Sequence, residues 1–289
     1  MKILLTGSTG FIGRNIKEQW ADKYDIFAPN RLELDLRYTE KVKEYLKFHK
    51  FDVVIHAANT NDFTNKLSLY EILDYNLRMF YNLEKNRTFF GKMYYFGSGA
   101  EYDSKHYIPK MKEEYFGKYL PQDAYGFAKY TMSRIAQCSD NIYDLRLFGV
   151  YGKYEQWQRR FISNALCRSI KDMPITISQN VRFDYLYITD LCSILERLIS
   201  IEPKYHCYNV CAGEVIDLKN IAKMINRITG LNSEIQIKNS GYKLEYSADN
   251  QRLKDEIGEY RITSIENGIK ELYTYYRTRQ NDIQKELLI

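Results

Sequence analysis

The sequence predicts an α/β protein built on a doubly wound parallel sheet, with a smaller mixed α/β domain formed largely by its second half. Three observations carry that expectation. Short apolar or β-branched runs alternate with longer amphipathic stretches through the first half of the chain. The first run leads at once into a glycine-rich turn, Gly7-Ser8-Thr9-Gly10-Phe11-Ile12-Gly13, and each later run stops where small or polar residues begin. Such alternation marks βαβ units, and strand ends of this kind are where open α/β sheets hold their ligands.

In chain order, strands are expected at 3–5, 25–28, 53–56, 92–97 and 143–150, with helices at 11–20, 39–49, 69–86 and 125–138. Beyond Gly152 the pattern loosens into a helix at 159–170, strands at 175–178 and 182–187, a helix at 189–201, a strand at 205–210, a helix at 217–229, a strand at 234–238 and a helical tail. The expected sheet domain is 1–152 plus roughly 181–210, and the smaller domain roughly 153–180 plus 211–289, with a packed cleft between them because no low-complexity linker intervenes.

Composition narrows the function classes. With 289 residues, 45% hydrophobic and 27% charged, the chain can bury a core without disulfide or metal staples. Its 42 Lys+Arg against 37 Asp+Glu leave +5 spread without a basic block, which argues against nucleic acid and remains compatible with an anionic small ligand. Cys138, Cys167, Cys192, Cys207 and Cys211 join no histidine at ligand spacing, so no metal is expected. No apolar run reaches membrane-spanning length, and MKILLTGSTG is broken too early for a signal peptide, so the expected location is the cytoplasm.

The glycine-rich turn is placed as a dinucleotide site requires. Gly7 allows the tight turn, Gly10 lets the backbone approach a pyrophosphate, and Gly13 lets helix and strand pack closely. Thr9, Phe11 and Ile12 complete the stretch whose amides face the phosphates. The second strand is followed by Pro29-Asn30-Arg31, with no carboxylate where one would accept the ribose 2′-OH. Arg14, a cation opposing the helix dipole, and Arg31 are therefore the expected clamp of a 2′-phosphate, with Asn30 beside them, which predicts NADPH over NADH. Asp35, next to Leu36, is expected at the adenine amino group, and Ala57 and Ala58 follow the third strand at the cofactor's edge.

In Tyr125-Gly126-Phe127-Ala128-Lys129 a phenol and an ammonium lie four apart on one helix face, a pairing suited to proton transfer. With this pair in place, the chain resembles the extended short-chain dehydrogenase/reductase family of nucleotide-sugar epimerases, dehydratases and reductases over essentially its whole length. The matching pieces are GSTGFIG at 7–13, Ala57-Ala58, GSGAEY at 97–102, YGFAK at 125–129, LRLFGVYG at 145–152, RFDYLYITDL at 182–191, YNVCAGE at 208–214 and a tail pattern over 249–276. The resemblance implies a Rossmann domain for the dinucleotide, a small domain for an NDP-sugar, and Ser98, Tyr125 and Lys129 as the hydride-transfer triad. It also implies a homodimer formed by Rossmann helices, and Arg182 as the partner of the substrate diphosphate.

Departures from the family sort its chemistries. Dehydratases of the family carry an acid pair or a Glu where this chain has Gly99 and Ala100, and Glu101 is expected to point away on an extended segment. GDP-fucose synthases carry a Cys at the Ala100 position and a His aligned here with Ile170, so both groups of that epimerising step are missing. Gly149 stands where relatives often place an Asn, and Asp190 reads as structural. What remains is reduction of a 4-keto NDP-sugar by NADPH, with Ser98, Gly99, Ala100, Tyr125 and Arg182 on the substrate side. The alternatives are an epimerase/reductase recruiting His106 or a Tyr within 151–157, an NAD-dependent 4-epimerase, and a non-catalytic dinucleotide sensor.

Overall fold

A computed structural model describes residues 1–60 and 67–288. The first half runs β1 (Lys2–Thr6), α1 (Phe11–Trp20), β2 (Asp25–Phe27), α2 (Thr39–His49), β3 (Phe51–His56), α3 (Leu69–Glu84), β4 (Phe90–Ser98), α4 (Ala124–Ala136) and β5 (Ile142–Leu147). The second half adds β6 (Gly149–Tyr151), α5 (Phe161–Ile170), β7 (Ile175–Asn180), β8 (Arg182–Tyr187), α6 (Ile188–Ile199), β9 (Cys207–Val210), β10 (Val215–Asp217), α7 (Leu218–Thr229), β11 (Ile235–Tyr242), α8 (Gln251–Ile257) and α9 (Ile265–Arg277).

Six strands pair in parallel in the order β2-β1-β3-β4-β5-β9. Alternate residues of each strand point to opposite faces, and here both faces are covered. Ile3, Leu5, Val53 and Ile55 pack against α1 and α6, while Leu4, Val54 and Met93 pack against α2, α3 and α4. Strand order reverses between β1 and β3, so their carboxyl ends open the crevice where a ligand fits such a sheet. A second core gathers α5, α7 and α9 around Ile175, Ile177 and Tyr187. Among the described residues no helix is long and apolar enough to cross a membrane.

The structure departs from the expected elements where tertiary contacts intervene. The strand expected at 143–150 breaks at Phe148, because Val150 N donates back to Phe148 O (2.8 Å) and β6 leaves the large sheet to pair with β8. Three-residue β10 was not expected, and β11 runs on to Tyr242 alongside β7. In the tail, α8 docks Leu253 and Ile257 on the large sheet's core, although its stretch was expected to belong to the smaller domain.

A buried polar network ties β4, β5, α4 and β9 together. The Arg146 guanidinium donates to Glu101 (2.8 Å), Asp144 (3.0 Å), the Tyr102 hydroxyl (2.9 Å) and Ser133 Oγ (2.9 Å). Ser133 donates a hydrogen bond to Asp144 (2.6 Å), and Tyr102 donates to Asn209 Oδ1 (2.7 Å). Burial, together with the charge of Asp144, pushes the Glu101 carboxyl well above the usual range. Replacing Arg146 by Met leaves the buried acids without their cation and is expected to cost about 3–5 kcal/mol. Urea unfolding checks this through a lower midpoint at unchanged slope; a loss below about 1 kcal/mol would show that the fold does not lean on the network.

Candidate active site

The crevice starts at the end of β1. Gly7 takes φ +67, and a Cβ there would meet Ala58 N at 2.5 Å, so the turn and the third-strand loop touch backbone to backbone. Thr6 Oγ1 accepts from Ala58 N (3.3 Å) and lies 2.9 Å from His56 Nδ1, locking the two strand ends together. A Cβ at Gly13 would meet Gly7 O at 2.3 Å, which accounts for that glycine by packing alone.

Gly10 differs. It N-caps α1 at φ −82, and an added Cβ would meet Gly7 O at 3.3 Å, a tight contact that asks that backbone to yield a few tenths of an ångström, far milder than at Gly7 or Gly13. No side chain caps α1 and no acid sits in its first turn. Bare amides at a helix start beside a glycine that packing constrains less than its neighbours fit the pyrophosphate of a dinucleotide. Phe11, Ile12 and Ala57 turn their side chains against the large core, and Ala58 packs on the opposite core, so any contribution from these positions comes through the backbone.

Around the expected ribose, Asn30 accepts from Leu32 N (2.8 Å) and Glu33 N (3.2 Å), fixing the loop after β2. Arg31 is exposed, with one nitrogen 3.3 Å from Asp35. Asp35 is gripped by Arg37 at 2.6 Å, which holds its carboxyl down to about 2. The oxygens expected to meet an adenine amino group are thus already shared by Arg37 and Arg31, and Leu36 is buried in the core. Arg14 lies 4.0 Å over the Tyr154 ring, lining a groove with Ser8 and Thr9. The two arginines expected to share one phosphate therefore have separate protein partners.

On the other wall, Asp123 caps α4 by accepting from Gly126 N (2.8 Å), which sets half-buried Tyr125 in the first turn. Lys129 follows one turn later, buried, its Nζ donating to Phe96 O (2.6 Å) and lying 5.8 Å from the Tyr125 ring centroid. Burial first, and the Lys129 charge second, push His56 down to about 3, so its imidazole is neutral. Ser98 ends β4; its Oγ accepts from Ala100 N (3.1 Å) and its amide donates to Glu101 (2.9 Å). The segment expected to be extended is a 3-10 turn over Gly99–Tyr102, which carries Glu101 under the site into the Arg146 network. Glu101 is out of play as the expectation held, but because it is buried and paired.

Two residues that sequence reasoning passed over also face this wall. The Tyr246 hydroxyl lies over Gly99, the neighbour of Ser98, where an added Cβ would meet it at 2.5 Å, and Arg160, at the N-cap of α5, places its charge near both Tyr246 and Tyr185. Their separation from the triad in sequence hid them. Ile170 sits at the other end of α5, packed on the second core. Arg182 is exposed, with a loose 4.0 Å approach to Glu245, and Asp190 accepts from the Thr263 amide and hydroxyl, both at 2.8 Å, a structural tie.

The model of the NAD dependent epimerase/dehydratase family matches residues 3–211. The chain belongs to that family. The GDP-L-colitose synthase of Yersinia pseudotuberculosis is 23% identical to it over 98% of this chain and 100% of that protein. A UDP-glucose 4-epimerase structure from Thermotoga maritima superposes with a TM-score of 0.84 at 19% identity, covering 96% of this chain and 99% of that one. A GDP-6-OMe-4-keto-L-xylo-heptose reductase of Campylobacter jejuni gives 0.82 at 19% identity, covering 96% and 98%. An epimerase and a reductase thus share this fold, and a nicotinamide dinucleotide is the cofactor of the family.

If Gly10 is kept bare for a phosphate, Gly10→Ala should retain its melting temperature within about 2 °C while dinucleotide affinity falls at least about tenfold. Fluorescence titration beside thermal melting separates the two effects; equal affinity in the variant would remove Gly10 from the cradle.

Proposed function

We propose that this enzyme reduces the C4 ketone of a nucleotide-activated deoxy sugar with NADPH, making a precursor for a surface polysaccharide. The observation that carries this reading is the Tyr125–Lys129 pair, 5.8 Å from ring centroid to ammonium, on a helix whose first turn lies against the segment following Ser98, where positions 99–100 hold only Gly and Ala. Retention of all three groups argues against a non-catalytic sensor. The names of the relatives, which span a GDP-sugar synthase and a 4-keto-heptose reductase, support an NDP-sugar substrate.

Gly7, Thr9, Gly10, Phe11, Ile12 and Gly13 would hold the pyrophosphate by backbone amides, with Asn30 and Arg31 toward the ribose. A bound reduced nicotinamide supplies the hydride. Ser98 donates a hydrogen bond to the carbonyl oxygen, and Tyr125 gives that oxygen its proton as negative charge develops on it. The Lys129 ammonium stabilises the phenolate left behind. Arg182, only loosely paired, is free to engage a diphosphate. Exposed Leu69 and Tyr70 on α3 and Phe127 on α4 support pairing of two copies through these helices.

A second reading, epimerisation before reduction, has one observation in its favour. His106 Nδ1 lies 2.6 Å from buried Asp103, and its ring stacks 3.7 Å from Tyr119, an arrangement that orients an imidazole for proton transfer. Incubation with GDP-, dTDP-, CDP- and UDP-4-keto-6-deoxy sugars and NADPH in deuterium oxide tests both. The reductase reading expects hydride at C4 and no deuterium at C3 or C5; deuterium above the enzyme-free control favours the second.

Tyr125→Phe should fold and bind cofactor yet lose about 10²–10⁴ in turnover, because it lacks only the proton donor. Near-normal NADPH oxidation by that variant would remove Tyr125 from its role. Arg31→Ala should weaken NADPH about tenfold or more and leave NADH unchanged, since only one of them carries the 2′-phosphate. Parallel titrations decide it, and equal losses for both cofactors would contradict the NADPH preference.

A further inference from the structure

Gly99 follows the proposed catalytic Ser98, and the space above it is occupied. A Cβ at Gly99 would meet the Tyr246 hydroxyl at 2.5 Å, Tyr246 Cε2 at 2.8 Å and Phe148 Cε1 at 2.7 Å. The absence of a side chain at 99 is therefore matched by a phenol from the far end of the chain. That phenol is well fixed. Tyr246 N donates to Arg182 O (2.9 Å), and its carbonyl accepts from Asp184 N (3.0 Å). Its ring is flanked by Phe148, Tyr107 and Phe183 at 4.9, 5.1 and 5.3 Å between centroids.

The hydroxyl itself is poorly served by the protein. Its carbonyl acceptor, Leu147 O, is 3.5 Å away, at the limit of a hydrogen bond. It lies over Gly99, next to Ser98 in the chain, and the Tyr125 phenol opposes its ionisation. Burial raises the Tyr246 hydroxyl well above the ordinary phenol range, so it keeps its proton and acts as a donor, never as a base. A half-buried O–H with a weak protein acceptor, held by its backbone and ring contacts over the residue that follows Ser98, is a preorganised donor awaiting an oxygen.

We propose that Tyr246 is a further catalytic residue, donating a hydrogen bond to the sugar oxygen that Ser98 and Tyr125 also face. This rests on the NDP-sugar reading above. The aromatic ring excludes water from that side of the sugar, and the hydroxyl stabilises the growing alkoxide without transferring its proton. The same placement sets specificity, since a substituent on the sugar large enough to need the space over Gly99 would meet the ring.

Tyr246→Phe retains the ring and deletes only the hydroxyl. Thermal melting and NADPH binding should match the wild type, while kcat falls by about 10–10² and KM changes less than about threefold. Calorimetry on the NADP-loaded protein supplies an arm that needs no turnover. UDP-glucose and GDP-mannose should bind Tyr246→Phe at least about fivefold more weakly than wild type, with UDP and GDP unaffected. Wild-type turnover with equal turnover in the variant overturns the proposal and leaves the reductase reading standing. Sugar-nucleotide binding that depends on Tyr246, without oxidation of NADPH on any 4-keto sugar, supports the proposal and overturns the reductase reading. Equal binding in both proteins, or none to the wild type, overturns the proposal.

Discussion

The site depends on one buried cation. Arg146 lies near the end of β5 with no exposure, and bringing a guanidinium out of water is tolerable only because two carboxyl groups and two hydroxyls surround it. Those partners come from the turn after β4, from β5 itself and from α4, so the charge requires them to meet. Gly97 shows how tight the fit is, because a Cβ there would meet Asp144 Oδ1 at 2.0 Å and Glu101 Oε1 at 2.4 Å. Glu101 in turn holds the Ser98 amide, so the network that closes the core also aims the serine.

A second constraint acts on Lys129. Its ammonium is buried near His56, whose imidazole is kept neutral first by burial and then by the Lys129 charge, and lies 2.9 Å from Thr6 Oγ1. Lys129 instead spends a proton on Phe96 O at the end of β4. Thr6 thus joins the ends of β1 and β3 through His56 and Ala58, and Lys129 ties α4 to β4 near its end. The proposed cofactor crevice and the proposed proton-transfer wall thus each rest on hydrogen bonds at strand ends of the same sheet, the kind of preorganisation catalysis uses.

Fold and chemistry separate at the positions around Ser98. The superposable epimerase and reductase show that this scaffold serves more than one reaction, so the choice rests on individual side chains. Here the acid nearest in sequence, Glu101, is committed to Arg146, and the position before Ala100 is kept bare under the Tyr246 ring. Both facts favour hydride delivery to a ketone over removal of carbon-bound protons.

Local signals were legible in the chain itself. Helical periodicity located α1 and α2 to the residue, the β-branched run located β8, and the glycine spacing marked the crevice before any contact was known. The proximity of Tyr125 and Lys129 was legible too, because they are four apart on one helix, whereas Ser98 joins them in the proposed triad through the family resemblance. Tertiary structure alone decided the rest. It broke the strand at Phe148, folded Glu101 inward, gave Asp35 to Arg37, and set Tyr246 over Gly99. Each of these turns on a charge finding its partner or a ring filling a space across many residues of sequence. Spacing along a chain records which groups share a helix face or a strand end, whereas burial and pairing between distant segments exist only once the cores have closed.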